Sequence, residues 1–156
     1  MVPEAYHYEL ERGADDRVRV VLRGALEGSA LPGLSDAFTA LLRDLPARAG
    51  ILIDLTEVTR CDPAACRTLA RILRKVRDRG VRTAWLAHRA RLRGAVWWIV
   101  HAAEDPRAMP VTDRRFAEDW LACDDERLDR LETQTREAYE RVRSLLGRVS
   151  GTTGGR

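Results

Sequence analysis

Directly after Gly50 the chain reads Ile51-Leu52-Ile53-Asp54-Leu55, a short and almost wholly apolar run. Such runs are typical of central strands buried on both faces. Both faces of a strand are covered only when helices pack against a largely parallel sheet. That single stretch favours a layered α/β architecture over a helical bundle or a one-sided antiparallel sheet.

The rest of the chain supplies the partners such a strand needs. Tyr6-His7-Tyr8-Glu9-Leu10-Glu11 alternates as a strand, residues 13–16 form a turn, and residues 18–24 make a second strand, which predicts a hairpin. Pro32-Gly33 breaks the chain. Leu34, Phe38, Leu41, Leu42 and Leu45 then follow at helical spacing until Pro46. Residues 56–62 read as a loop. Asp62-Pro63 is a strong helix start: the Asp62 carboxylate caps free backbone donors, and Pro63 suits the first helical position, where its missing N–H has no partner to lose. Leu69, Ile72, Leu73 and Val76 form the apolar face of this helix, with Arg67, Arg71, Arg74, Lys75 and Asp78 opposite. Gly80 ends it, where a left-handed cap is wanted. Residues 83–86 and 109–111 read as strands, and residues 94–101 and 115–121 as helices. The order is β-β-α-β-α-β-α-β-α, which implies a mostly parallel sheet with right-handed crossovers.

From Leu128 the pattern changes. Leu128, Leu131, Thr135, Ala138, Val142, Leu145 and Val149 step alternately by three and four, a heptad seam preceded by the acidic Asp124-Asp125-Glu126. The expected organisation is a domain over 1–122, a heptad helix over 123–149 and a disordered tail over 150–156. The heptads allow two arrangements, a homodimeric coiled coil or a helix folded back on its own domain. Residues 113–140 carry ten acids and five arginines, net −5, suited to complementing a basic helix in the same chain or in a second copy.

Charge and composition exclude several classes. The formal net charge of +3 demands neither a nucleic acid nor a membrane. No apolar run approaches the ~18 residues of a membrane span, and the start lacks a basic and apolar leader, so no membrane insertion and a cytoplasmic location are expected. The three cysteines, Cys61, Cys66 and Cys123, fit a reducing compartment. Cys61 and Cys66 lack the two-residue gap of zinc and redox motifs, and the three histidines are scattered, so neither metal nor cofactor is expected. Cys66 reads as a small core residue on a helix and Cys61 as the end of a buried strand or loop. There is no phosphate loop, nucleophile elbow or His/carboxylate pairing, so the chain does not read as an enzyme.

Besides the heptads, three features remain as functional candidates. Asp54 and Asp62 are expected near the carboxyl edge of the strands, where open α/β sheets place their sites. Asp62 serves as a helix cap, with a docking role in addition. Residues 67–93 hold ten Arg or Lys and one acid, Asp78, net +9. This is either a solvated face or a docking face for an acidic partner. Nucleic acid is disfavoured, because no groove-reading motif or interleaved stacking aromatics accompany the charge, apart from Trp85. Neighbours on a helix diverge by ~100°, so of Trp97 and Trp98 one is expected in the core and the other, taken here as Trp98, at an interface; burial of both between helix and sheet is the alternative.

Over roughly residues 6–122 the sequence resembles STAS domains, the fold of bacterial anti-sigma factor antagonists. The resemblance rests on the strand 51–55 ending in Asp54-Leu55, a short loop, the turn Asp62-Pro63-Ala64-Ala65, the helix running to Gly80 and the strand 83–86. Arg23-Gly24-Ala25-Leu26 is similar to the family's Gly-x-Leu. Met109-Pro110-Val111 followed by Phe116-Ala117-Glu118-Asp119-Trp120-Leu121 is similar to its closing strand and helix. The resemblance implies an α/β, STAS-like (SpoIIAA-type) sheet with helices packed on it, extended here by a C-terminal helix. It also implies a protein-docking surface at the edge around Asp62, Pro63, Ala64, Arg67, Arg71 and Arg74, with Trp98 as a further contact.

The chain departs from the family at one decisive place. After the turn aspartate these antagonists usually carry Ser or Thr, which a partner kinase phosphorylates, adding nearly two negative charges at a helix N-terminus. Here Pro63, Ala64 and Ala65 follow, and none has a hydroxyl. Phosphorylation at the usual position is chemically excluded; Thr56, Thr59 and Thr68 are the nearby hydroxyls. The resemblance therefore implies a non-catalytic protein-binding module for a kinase-like anti-sigma factor or scaffold. The alternatives are an accessory subunit that clasps the ATPase of a lipid-transport ABC complex, and a small-ligand or nucleotide binder. Pro63 weakens the last by removing a backbone donor from the helix start.

Overall fold

The computed structural model describes residues 6–28, 31–46, 49–123 and 125–150. β1 (His7–Arg12) and β2 (Arg17–Leu26) form the expected hairpin. Its turn holds Asp15 and Asp16 at φ of 67° and 54°, a left-handed pair whose twist matches that of the flanking strands. There follow α1 (Leu34–Asp44), β3 (Gly50–Cys61), α2 (Pro63–Asp78), β4 (Arg82–Leu86), α3 (Ala90–Ala103), β5 (Ala108–Val111), α4 (Arg114–Ala122) and α5 (Asp125–Ser150). The chain divides into two units, Met1–Ala122 and Cys123–Arg156.

The sheet order is β1-β2-β3-β4-β5, antiparallel at the first pair and parallel thereafter. Each parallel strand is laid beside the preceding one in the same direction, and α1, α2 and α3 pack into one shared core cluster, as right-handed crossovers would place them. The main core lies beneath them, with Val20, Leu22, Phe38, Ile51, Ile53, Leu69, Leu73, Trp85, Val96 and Ile99 almost wholly buried. α4 covers the other face through a smaller cluster of Leu52, Ala84, Leu86, Val111 and Ala117. The run 51–55 is thus buried on both faces, as its composition predicts: Ile51, Ile53 and Leu55 point toward the helices, and Leu52 toward α4.

Three expectations require correction. Residues 56–61 are strand, not loop: β3 continues past its pairing with β4 and stays beside β2, with Glu57 opposite Arg23, Val58 opposite Gly24 and Cys61 opposite Leu26. The polar Thr56, Glu57, Thr59 and Arg60 disguise it, and only Val58 is buried. Second, neither Trp97 nor Trp98 belongs to the core; they are 63% and 47% exposed. Leu92, Val96, Ile99 and Ala103 already fill the inward stripe of α3 at helical spacing, and the two indoles flank it. Trp97 lines a shallow groove with Arg93, Pro110 and Thr112 beside the edge strand β5. Third, Ser150 is the last residue of α5; the remainder of the expected tail lies outside the described residues.

In α5 the heptad positions Ala138, Val142 and Leu145 are exposed, as are Tyr139 and Leu146. The side chains of Leu128, Leu131, Thr135 and Val149 lie outside the described residues. Among the described residues, no helix is long and apolar enough to cross a membrane.

Candidate functional site: the edge at the start of α2

Asp62 leaves β3 in an extended conformation, and Pro63 takes the first position of α2. The Asp62 carboxylate accepts from two backbone amides. Oδ1 takes the Ala65 N–H at 2.7 Å and Oδ2 the Gly28 N–H at 2.7 Å. Its own N–H donates to the Leu26 carbonyl at 3.0 Å. One residue therefore caps α2 and ties the loop after β2 to it. Gly28 sits at φ 66°, in the left-handed region that favours glycine, where it can present its amide to Asp62. The bonds from Ala65 and then Gly28 hold the Asp62 carboxyl below the usual carboxylate range. The predicted cap is present, and the second bond, to Gly28, was not visible in the sequence.

Around this clamp stand Pro63, Ala64 and Arg67, together with the ion pair between Arg60 and Glu27. Pro63 and Arg67 are exposed and Ala64 half-buried. Cys61 and Cys66 flank the turn with their sulfurs 3.4 Å apart, one thiol donating to the other. Cys66 is 8% exposed and Cys61 half-buried. The Cys61–Cys66 spacing concealed this contact, because a strand end followed by the first turn of a helix folds positions five apart back onto each other. Among the described residues, no three His, Cys, Asp or Glu side chains form a group that would hold a metal ion.

Asp54 does not join Asp62. Eight residues of chain, roughly 25 Å if fully extended, separate them because β3 is longer than expected. Asp54 instead points to the α4 side, 3% exposed, where it accepts from Arg19 Nη2 at 2.6 Å and from the Thr56 hydroxyl and amide at 2.6 and 3.0 Å. Burial alone would raise its pKa, but the Thr56 and Arg19 bonds outweigh burial and hold it low.

The basic stretch is also rearranged by the fold. Arg74 donates to the Ala102 carbonyl at 2.9 Å and Arg77 to the Ala103 carbonyl at 2.7 Å, so both cap the end of α3. Arg79 donates to the Leu42 carbonyl near the end of α1 at 2.9 Å, and Lys75 to the Ser35 hydroxyl at 3.0 Å. Arg82 is buried, donates to the Trp120 carbonyl at 3.1 Å and lies over the Trp120 ring. Four of the ten basic residues, Arg74, Arg77, Arg79 and Arg82, thus bind backbone carbonyls at helix ends, which carry partial negative charge. Arg74 is among them, and it stands ~16 Å along the helix from Pro63. Arg71 is exposed and donates to the Thr68 hydroxyl at 3.3 Å, which itself donates to the Ala64 carbonyl. Of the nearby hydroxyls, Thr56 and Thr68 are held in internal bonds, whereas Thr59 is exposed on β3. Trp98 lies on α3, one turn before Ala102, and is not part of the Asp62 clamp. The structure therefore gathers Asp62, Pro63, Ala64 and Arg67, keeps Arg71 one turn further along α2, and places Arg74 and Trp98 away from them.

The fold, though not these contacts, has counterparts among known structures. An anti-sigma factor antagonist from Mycobacterium paratuberculosis superposes with a TM-score of 0.61 at 19% identity, over 78% of this chain and 98% of that one. The fold is SpoIIAA-like. SpoIIAA in its unphosphorylated form matches with a TM-score of 0.56 at 14% identity, over 76% of this chain and all of that one. An uncharacterised protein of Shewanella loihica with a SpoIIAA-like fold matches with a TM-score of 0.55 at 21% identity, over 76% of this chain and 95% of that one. No family model and no curated protein matches the sequence. The SpoIIAA-like likeness spans the sheet and α1 to α4; α5 is an addition to it.

Proposed function

We propose that this protein is a non-catalytic regulatory module whose SpoIIAA-like unit docks a protein partner through the edge formed by the start of α2 and the loop after β2. The observation that carries this reading is the Asp62 clamp. Its bonds to Gly28 and Ala65 fix two separate chain segments as one surface, and Pro63 and Arg67 project from it. Preorganisation lowers the ordering cost of binding. An anti-sigma factor antagonist among the structural neighbours supports an anti-sigma factor as the partner class, and the resemblance of the sequence implies a kinase-like one. Pro63, Ala64 and Ala65 offer that kinase no hydroxyl, so docking is constitutive with respect to phosphorylation at this turn. Asp62 acts from within, as the clamp. Arg67 and Arg71 supply positive charge, and Arg74 contributes to the fold instead.

The test is affinity capture from the native host with tagged protein beside a Pro63→Asp/Arg67→Glu/Arg71→Glu variant. Capture of a kinase-like anti-sigma factor by the native chain alone supports the reading. Equal capture by the variant overturns the edge as the interface, and an ABC ATPase in its place overturns the partner class. In the same proposal α5 pairs with a second copy of the chain, because Tyr139, Val142, Leu145 and Leu146 are all more than half exposed along it. Sedimentation of the full chain as a dimer, and of a Val142→Glu/Leu145→Glu variant as a monomer, is the expected result.

A further inference from the structure

The Cys61–Cys66 contact brackets the turn that carries the Asp62 clamp. The two sulfurs are 3.4 Å apart, and a disulfide needs about 2.05 Å. A closure of about 1.4 Å is within the compliance of a helix's first turn. Between the two cysteines lie only Asp62, Pro63, Ala64 and Ala65, the residues that build the clamp. Cys66 belongs to that first turn, and its N–H donates to the Asp62 carbonyl at 3.0 Å. A bond between the sulfurs therefore pulls directly on the peptide that orients the Asp62 carboxylate toward Gly28.

We propose that Cys61 and Cys66 form a reversible oxidation site, closed to a disulfide by peroxides, which reshapes the Asp62 clamp and so regulates the docking edge. The regulatory half rests on the docking reading; the disulfide itself does not. The chemistry is balanced as follows. The Cys66 thiolate attacks a peroxide oxygen, the O–O bond breaks, and the alcohol or water leaves with the proton that Cys66 gave up. The Cys61 sulfur then attacks the resulting sulfenic sulfur, the S–O bond breaks, and hydroxide leaves with the Cys61 proton as water. The two sulfurs supply two electrons and the peroxide accepts them. The assignment of Cys66 as the first nucleophile follows from its surroundings. The hydrogen bond from Cys61 lowers its pKa, with burial opposing, and it lies at the positive end of α2. The same hydrogen bond, together with burial, pushes the Cys61 thiol up, so Cys61 keeps its proton until the second step.

The experiment uses the full chain, reduced and then treated with stoichiometric hydrogen peroxide, blocked with a maleimide and digested with trypsin. Cleavage after Arg60 and Arg67 releases one heptapeptide holding both cysteines, separate from Cys123. The expected product is that peptide two hydrogens lighter and unlabelled, becoming doubly labelled once dithiothreitol has reduced it and fresh maleimide is added. In the Cys66→Ser variant the loss of two hydrogens disappears. In the oxidised protein the Gly28 and Ala65 amides exchange faster with deuterium. Persistent double labelling, or conversion of either cysteine to a sulfinic or sulfonic acid, overturns the site. A disulfide that leaves Gly28 and Ala65 exchange unchanged overturns its link to the clamp. Reduced and oxidised protein are then compared in the capture assay: partner lost only on oxidation supports the regulation, and partner retained overturns it while docking stands. Capture failing in both forms beside a normal disulfide overturns docking and leaves the oxidation site intact.

Discussion

Asp54 and Asp62 stand at different depths and do different work, and both are held ionised by the hydrogen bonds they accept. Asp54 is enclosed by Arg19 and Thr56. Asn at this position keeps the shape but leaves Arg19 only the more exposed Glu11 as a charged partner, so Asp54→Asn is expected to cost about 2 kcal/mol, read from the urea midpoint at neutral pH. Because both folded pKa values are lowered, the stabilisation is complete above the unfolded value near ~3.9 and is lost as pH falls through the folded values. Denaturant unfolding followed downward in pH should show stability declining below about pH 4, with a shallower decline in Asp54→Asn. Asp62→Ala removes both clamp bonds. The expected result is faster amide exchange at Gly28 and Ala65, with the sheet amides of β3 and β4 unchanged.

At the scale of elements, α2 shows what a local pattern can specify. The Asp62-Pro63 start, the apolar stripe of Leu69, Ile72, Leu73 and Val76 and the stop at Gly80 are all present. Gly80 holds φ 68° with open space where a side chain would stand, so the cost of replacing it is conformational alone. Gly80→Ala is expected to lose about 1 kcal/mol, and Gly80→Asn less, by thermal or chemical unfolding. α3 gives the contrasting case. Its indoles lie outside the inward stripe, so Trp97→Gln and Trp98→Gln should each shift stability by less than about 1 kcal/mol. Trp85→Ala, at a fully buried ring, should cost roughly 3–5 kcal/mol in the same assay. The length of β3 was not readable beyond Leu55, although Thr56, Val58 and Thr59 are β-branched and suit a strand. Their pairing partner is β2, more than thirty residues earlier, and a polar stretch beside such a partner looks like a loop until the partner is in place.

At the scale of the molecule, the SpoIIAA-like unit carries its own core and α5 adds a separate helix. A chain ending at Ala122 is expected to unfold cooperatively, with a melting temperature within a few degrees of the full chain and less helical circular dichroism. Retention of fold by that fragment is also what separates the docking edge from the proposed self-association through α5.

What the sequence determined by itself was the order of strands and helices, the burial of residues 51–55 on both faces, the cap at Asp62, the stop at Gly80 and the missing hydroxyl at Pro63. Each depends on backbone preference, side-chain period or covalent chemistry within a few residues, and such effects act on the chain before it folds. Tertiary structure decided the extension of β3, the exposure of both Trp97 and Trp98 and the pairing of Asp54 with Arg19. It also turned Arg74, Arg77 and Arg79 into helix-end caps, brought Gly28 to Asp62 and set Cys61 against Cys66. Most of these depend on a group from a distant part of the chain or from a neighbouring element, and the cysteine contact depends on where a strand ends and a helix begins. Charge and polarity name the kind of partner a residue needs, whereas packing chooses which partner it meets.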